Sequence, residues 1–147
     1  YVLSFVYVAI YWNNHHHMMQ AVRAVTGPIL WANMHLLFWL SLVPFATAWM
    51  GENHFAARPV AFYGAVLFLC AVAFVLLSTL LARHEGADSQ LAKAVGSDLK
   101  GKVSLAAYAA AVIVAFFSPP AAMGLYVLVA VIWFIPDRRI ERVLEAG

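Results

Sequence analysis

The sequence has few charged residues and only one cysteine. Asp, Glu, Lys and Arg make up 11% of its 147 residues, whereas about a quarter of the residues are charged in soluble domains. A soluble domain of this size must cover its surface with polar groups, and this chain has too few of them. The composition therefore excludes a soluble domain and indicates a chain surrounded by lipid. The net charge of +2 without a concentrated basic patch argues against nucleic-acid binding. The lone Cys70 excludes an intrachain disulfide, and its apolar neighbours indicate a packing role.

Sequence motifs for several kinds of chemistry are also missing. There is no glycine-rich phosphate loop, no nucleophile with an associated base, and no carboxylate within an apolar stretch. The carbonyl filter motif of the common potassium channels is absent too. We therefore expect no enzymatic activity and no cofactor, and we disfavour a carrier driven by an intramembrane carboxylate.

The hydrophobic residues, 65% of the chain, fall into five long stretches. A helix needs about 20 residues to cross the hydrocarbon layer, or fewer with polar flanks. We predict an all-α, polytopic transmembrane bundle that occupies residues 1–147 as a single domain. Its five spans are Tyr1 to about Arg23, Ile29 to Met50, Pro59 to Ala82, Val103 to Phe117 and Ala121 to Ile135. The polar stretch 83–102 is predicted as a cytoplasmic loop, and the Pro119-Pro120 pair predicts a tight hairpin of the last two spans.

The positions of the basic residues indicate how the spans are oriented. Five spans place the connecting segments alternately on two sides, and one side receives only Arg58. The other side receives Arg23, Arg83, Lys93, Lys100, Lys102, Arg138, Arg139 and Arg142. By the positive-inside rule this side is cytoplasmic, so we predict a multi-pass protein of the cell membrane with a cytoplasmic C-terminus. The basic tail is expected to contact anionic lipid headgroups. One further span upstream of Tyr1 would place both termini inside.

Polar residues interrupt the first two apolar stretches at matching depths. Trp12 and His15 come late in the first span, and Asn33 comes early in the second. Because the two spans run in opposite directions, the three side chains can meet. Polar groups are costly against lipid, so we expect them to face another helix or water. They form a site that can hold a polar group of a third helix; simple hydrogen bonding between two helices is the open alternative.

Three consecutive histidines, His15 to His17, raise the question of a metal site. Neighbouring positions on a helix point in different directions, so the three imidazoles do not converge on one ion. A ligand from His35 on the second span would make a zinc or haem site conceivable. The sequence leaves open whether His16, His17 and His35 bind a metal.

Several other residues have expected structural roles. Pro44 should kink the second span or free the carbonyl of Leu40. The aromatic residues of the spans are expected to pack between helices or to line the membrane interfaces; they are Tyr7, Tyr63, Tyr108, Tyr126, Trp49 and Trp133.

The order of these features resembles the transmembrane protein 175 family of potassium channels, in its single-repeat prokaryotic branch. The resemblance rests on Trp12-x-x-His15, then Asn33 and Pro44, then the Pro-linked final hairpin, and it covers the whole chain. It implies a six-helix repeat, four subunits around one pore, and passive movement of potassium ions through a hydrophobic constriction. In the family the first helix lines the pore and carries a Phe-Ser-Asp signature.

This sequence has no Phe-Ser-Asp segment, so the resemblance places the ion pathway upstream of Tyr1. It also implies a role for Trp12, His15 and Asn33, which match positions that brace the polar signature of the pore helix. We accordingly predict a subunit of a homotetrameric potassium-permeable channel that supplies the scaffold helices. The alternatives are a secondary transporter and a haem- or metal-binding membrane oxidoreductase that uses the histidine cluster.

Overall fold

The computed structural model describes residues 2–20, 22, 24–86, 88–96 and 98–134. Every regular element in these ranges is a helix. In chain order they are α1 (Val2–Gln20), α2 (Gly27–Glu52), α3 (Ala57–Glu85), α4 (Gln90–Gly96), α5 (Leu99–Val114) and α6 (Pro119–Phe134). The predicted lipid-contacting arginines Arg138, Arg139 and Arg142, together with Arg23, lie outside the described residues.

The helix boundaries follow local sequence signals. α2 begins directly after Thr26, with Pro28 in its first turn, where a missing N–H costs nothing. α6 begins at Pro119 for the same reason. α5 begins after Asp98, whose carboxylate accepts a hydrogen bond of 2.8 Å from the Gly101 N–H. The stretch 83–102 contains the end of α3, the short α4 and the first turn of α5.

α2 continues through Pro44 without a break. Two hydroxyl side chains, one on each side of the proline, donate to backbone carbonyls that precede it. Ser41 donates to the Phe38 carbonyl at 2.7 Å, and Thr47 donates to the Val43 carbonyl at 2.8 Å. Neighbouring hydroxyls are one way in which an apolar helix accommodates an internal proline.

Contacts between aromatic rings and polar groups fix the relative directions of the helices. Trp49 near the end of α2 packs on Phe62 near the start of α3, so these helices are antiparallel. α3 and α6 run in the same direction, because Tyr63 meets Tyr126 and, farther along both helices, Phe74 meets Trp133. α5 and α6 are antiparallel, since the Trp133 indole N–H donates to Ser104 Oγ at 2.7 Å.

α3 lies at the centre of the bundle and packs against α2, α4, α5 and α6. Fifteen of its 29 residues are buried, more than in any other described helix. α1 runs parallel to α3, with Tyr7 against Tyr63 and Tyr11 against Phe74. The bundle thus has two ends. The His15 end contains the end of α1, the start of α2 and α4, and the Pro119 end contains the α2–α3 and α5–α6 turns.

Two of the described helices are long and apolar enough to cross a membrane, namely α2 with 26 residues and α3 with 29. α6 is also apolar but has 16 residues. Large apolar side chains remain exposed on the outside of the bundle, among them Trp31 at 78% and Phe117 at 86%. Exposed apolar surface of this extent needs lipid or another protein surface to cover it.

Candidate functional site between the first two helices

The site lies at the His15 end, where the last turns of α1 face the first turns of α2. The His15 imidazole and the Asn33 amide are both half-buried there. His15 Nε2 lies 2.7 Å from Asn33 Oδ1. Because an amide oxygen only accepts hydrogen bonds, His15 Nε2 is the donor. The structure therefore joins the end of α1 to the start of α2 by a polar pair.

Trp12, the third predicted member of the site, lies one turn before His15 on α1. Its side chain is 62% exposed. The indole stacks on the His16 imidazole, with ring centroids 5.0 Å apart and an interplanar angle of 7°. The structure thus brings His15 and Asn33 together and places Trp12 beside them with its ring against His16.

Trp12 belongs to a continuous exposed stripe on α1, which we call the α1 outer face. Its members recur every three or four residues, the spacing of one side of a helix. They are Val2, Phe5, Ala9, Trp12, His16 and Gln20. The opposite side of α1 packs into the bundle through Ser4, Tyr7, Asn14 and Met18. The α1 outer face adjoins the His15–Asn33 pair, so a helix lying on it would reach the pair.

The remaining histidines of interest have separate surroundings. His16 stacks on Trp12, and the Nδ1 atom of His17 is buried without a hydrogen-bond partner among the described residues. The exposed His35 accepts a hydrogen bond of 2.8 Å from the Trp39 indole N–H on the same helix. Within the described ranges, no three His, Cys, Asp or Glu side chains are grouped so that they could hold a metal ion.

Four of the tyrosines that the sequence placed either between helices or at the membrane interfaces form one buried cluster. Tyr7, Tyr63, Tyr108 and Tyr126 are each at most 2% exposed, so they pack inside the bundle and do not line a membrane interface. The Tyr7 hydroxyl donates to the Tyr126 carbonyl, and the Tyr126 hydroxyl donates to the Val60 carbonyl at 3.1 Å. These bonds connect α1, α6 and α3, so they hold α1 in place behind the site.

Comparison with known proteins agrees with these features. The family model for the endosomal/lysosomal potassium channel TMEM175 matches residues 1–44, which contain Trp12, His15 and Asn33. A protein of Chryseobacterium sp. (strain P1-3), named a potassium channel, is 52% identical over 145 residues, or 99% of this chain and 76% of that protein. Another named potassium channel, from Streptomyces collinus (strain DSM 40733 / Tue 365), is 33% identical over 84 residues, or 52% of this chain and 39% of that protein. No solved structure matches.

The two long apolar helices and the exposed apolar surface fit the class of helical membrane proteins. The identity with the Chryseobacterium protein extends over nearly the whole chain and so establishes its family. The chain belongs to the TMEM175 family of potassium channels.

Proposed function

We propose that this chain provides the scaffold helices of a passive potassium-permeable channel. In this proposal the pore helix lies upstream of Tyr1, and it packs on the α1 outer face. The observation that carries the proposal is the 2.7 Å contact between His15 and Asn33 beside that exposed face. A polar pair held in position next to an unpartnered helix face is suited to binding a polar group of an incoming helix.

The chemistry of the proposed bracing network supports this arrangement. The Trp12 indole N–H can only donate a hydrogen bond, and the 62% exposed side chain is accessible to a partner. The pore-helix signature that the family resemblance implies, Phe-Ser-Asp, offers a hydroxyl and a carboxylate as acceptors. Trp12, His15 and Asn33 would therefore fix the rotation and height of the pore helix.

We further propose that α1, α2, α3, α5 and α6 each cross the membrane. Successive long helices alternate in direction, as crossing helices do. Among the described residues, Arg83, Lys93, Lys100 and Lys102 all belong to the His15 end, whereas Arg58 lies at the Pro119 end. The positive-inside rule then makes the His15 end cytoplasmic, and the C-terminus after α6 lies on the same side.

The proposed assembly is a homotetramer with one central pore for potassium ions. The names of the two relatives support the choice of ion. The chain covers 76% of the Chryseobacterium protein, so that relative contains sequence with no counterpart here, long enough for a further helix. Conduction through a hydrophobic constriction requires no chemical step, because the gate works by wetting and dewetting.

The experiment that tests this function is electrical recording from the full-length protein in planar bilayers. A channel predicts potassium currents without coupled proton movement. The alternative secondary transporter predicts, for the same protein in liposomes, slow flux that acidifies or alkalises the vesicle interior in step with potassium. The alternative haem- or metal-binding oxidoreductase predicts visible haem absorbance or stoichiometric metal in the purified protein. Potassium flux coupled to protons would contradict the proposal and support the transporter. Haem or stoichiometric metal in the preparation would contradict it and support the oxidoreductase.

A further inference from the structure

A cavity of about 30 Å³ lies behind the candidate site, among α1, α3, α5 and α6. Aromatic side chains form much of its wall, notably Tyr11, Phe74 and Trp133. Their rings meet edge to face, at 6.0 Å between Tyr11 and Phe74 and at 6.2 Å between Phe74 and Trp133. The proposed channel function assigns no role to this cavity.

Three polar side chains of the wall, those of Asn14, Tyr7 and Ser104, hydrogen-bond to other protein atoms. Asn14 Nδ2 donates to the Ile10 carbonyl at 2.9 Å, and the Tyr7 hydroxyl donates to the Tyr126 carbonyl. Ser104 Oγ donates to the Lys100 carbonyl at 2.8 Å and accepts from the Trp133 indole. A buried water needs two to four polar partners. These three side chains already have partners in the protein, and most of the remaining wall is aliphatic or aromatic.

The cavity is nevertheless large enough for an occupant. A single water needs about 10–15 Å³, so a volume of about 30 Å³ accommodates a molecule of only a few heavy atoms. Empty protein cavities with apolar walls stay dry and take up apolar solutes. Polarisable aromatic walls favour a polarisable occupant, since dispersion attraction is then the main force.

We propose that this cavity is a binding site for small, polarisable, apolar molecules such as xenon or a one-carbon halocarbon. Such molecules concentrate in lipid and reach a bundle that lipid surrounds. An occupant contacts α1 from behind, on the side opposite the α1 outer face. It therefore stabilises the packing of α1 on α3, α5 and α6 by mass action. The inference rests on the cavity alone and is independent of the proposed potassium permeation.

Xenon is the probe in the test, with alanine methyl groups of the purified full-length protein labelled for NMR. Ala71 and Ala130 line the cavity, and the exposed Ala121 on α6 serves as the internal control. We expect saturable methyl shifts at Ala71 and Ala130 with increasing xenon pressure. Ala121 should show only the small linear shift caused by xenon dissolved in lipid or detergent.

Two variants decide whether the shifts come from the cavity. Ala130→Leu fills it, and we expect at least a tenfold weaker response at Ala71; Ala121→Leu adds the same side chain outside and should leave the response unchanged. If Ala130→Leu does not fold, Ala71→Val reduces the same space from α3, with Ala130 as the reporter. Shifts that do not saturate, shifts that persist in the filled variant, or ordered waters filling the cavity would overturn the proposal.

Discussion

The indole N–H of Trp133 donates to Ser104 Oγ at 2.7 Å and ties α6 to α5 at the end of the bundle far from their Pro119 turn. A Trp133→Phe variant keeps an aromatic ring but removes this donor. We expect it to lower the free energy of unfolding by about 1 kcal/mol, the usual net value of such a bond. The matched control is Trp31→Phe, because Trp31 is 78% exposed. Equal denaturation midpoints for both variants in detergent would contradict this prediction.

Removal of a tyrosine hydroxyl should have opposite effects at two buried positions. Tyr126→Phe deletes the 3.1 Å bond to the Val60 carbonyl, and we expect a loss of about 1 kcal/mol. The buried Tyr63 hydroxyl has no hydrogen-bond partner in the part of the chain that the structure describes, and the Thr47 hydroxyl donates to the Val43 carbonyl. Tyr63→Phe should therefore be neutral or stabilising by up to about 1 kcal/mol. Thermal unfolding of the two variants side by side checks the order; greater damage from Tyr63→Phe would refute it.

Gly64 is required where α3 meets α6. A Cβ at this position would overlap the Tyr126 hydroxyl, and it would lie 2.8 Å from Tyr126 Cζ and 3.0 Å from Val112 Cγ2. Since Tyr126 is fully buried, we expect Gly64→Ala to cost about 1–3 kcal/mol. Gly124→Ala is the control, because a Cβ there meets nothing within 4 Å. The control should be neutral or slightly stabilising, as alanine favours helix. Similar melting temperatures for the two variants would show that the close packing is not as described.

Asp98 caps the first turn of α5 through its bond to the Gly101 N–H. Asp98→Ala should lower the free energy of unfolding by about 1 kcal/mol, the typical cost of a lost N-cap. Asp88→Ala removes the same charge from an exposed turn and should have little effect. Urea or detergent titration measures both, and a larger effect at Asp88 would argue against the capping role.

Much of the helical layout could be predicted because long apolar stretches with Pro and Gly between them leave few alternatives. A helix covers most of each predicted apolar stretch, and Thr26-Gly27-Pro28 and Pro119 mark helix starts as expected. That five of these helices cross a membrane stays a prediction. The short α4 was not predicted, since its seven residues are too few for a clear periodic pattern. Its buried Leu91 shows that packing against α3 supports it.

The sequence predicts the positions of His15 and Asn33 along their helices, but it does not predict which way each helix is rotated. The depth of His15 and Asn33 follows from chain length alone once two helices form a hairpin. The rotation of a helix about its axis depends on packing, and helices that are apolar on nearly all sides give little sign of which face is inside. For that reason the buried tyrosine cluster and the outward position of Trp12 emerged only in the structure.

The central claim is that the His15–Asn33 pair braces a pore helix, and potassium flux tests it most directly. His15→Ala, Asn33→Ala and the double variant of the full-length protein are reconstituted in liposomes, with His84→Ala, an exposed histidine at the end of α3, as the control. We predict that each single variant changes flux or weakens the tetramer by about three- to tenfold, the equivalent of one hydrogen bond. The double variant should be little worse than either single variant, because both remove the same interaction. Normal flux and normal assembly in both single variants would contradict the account.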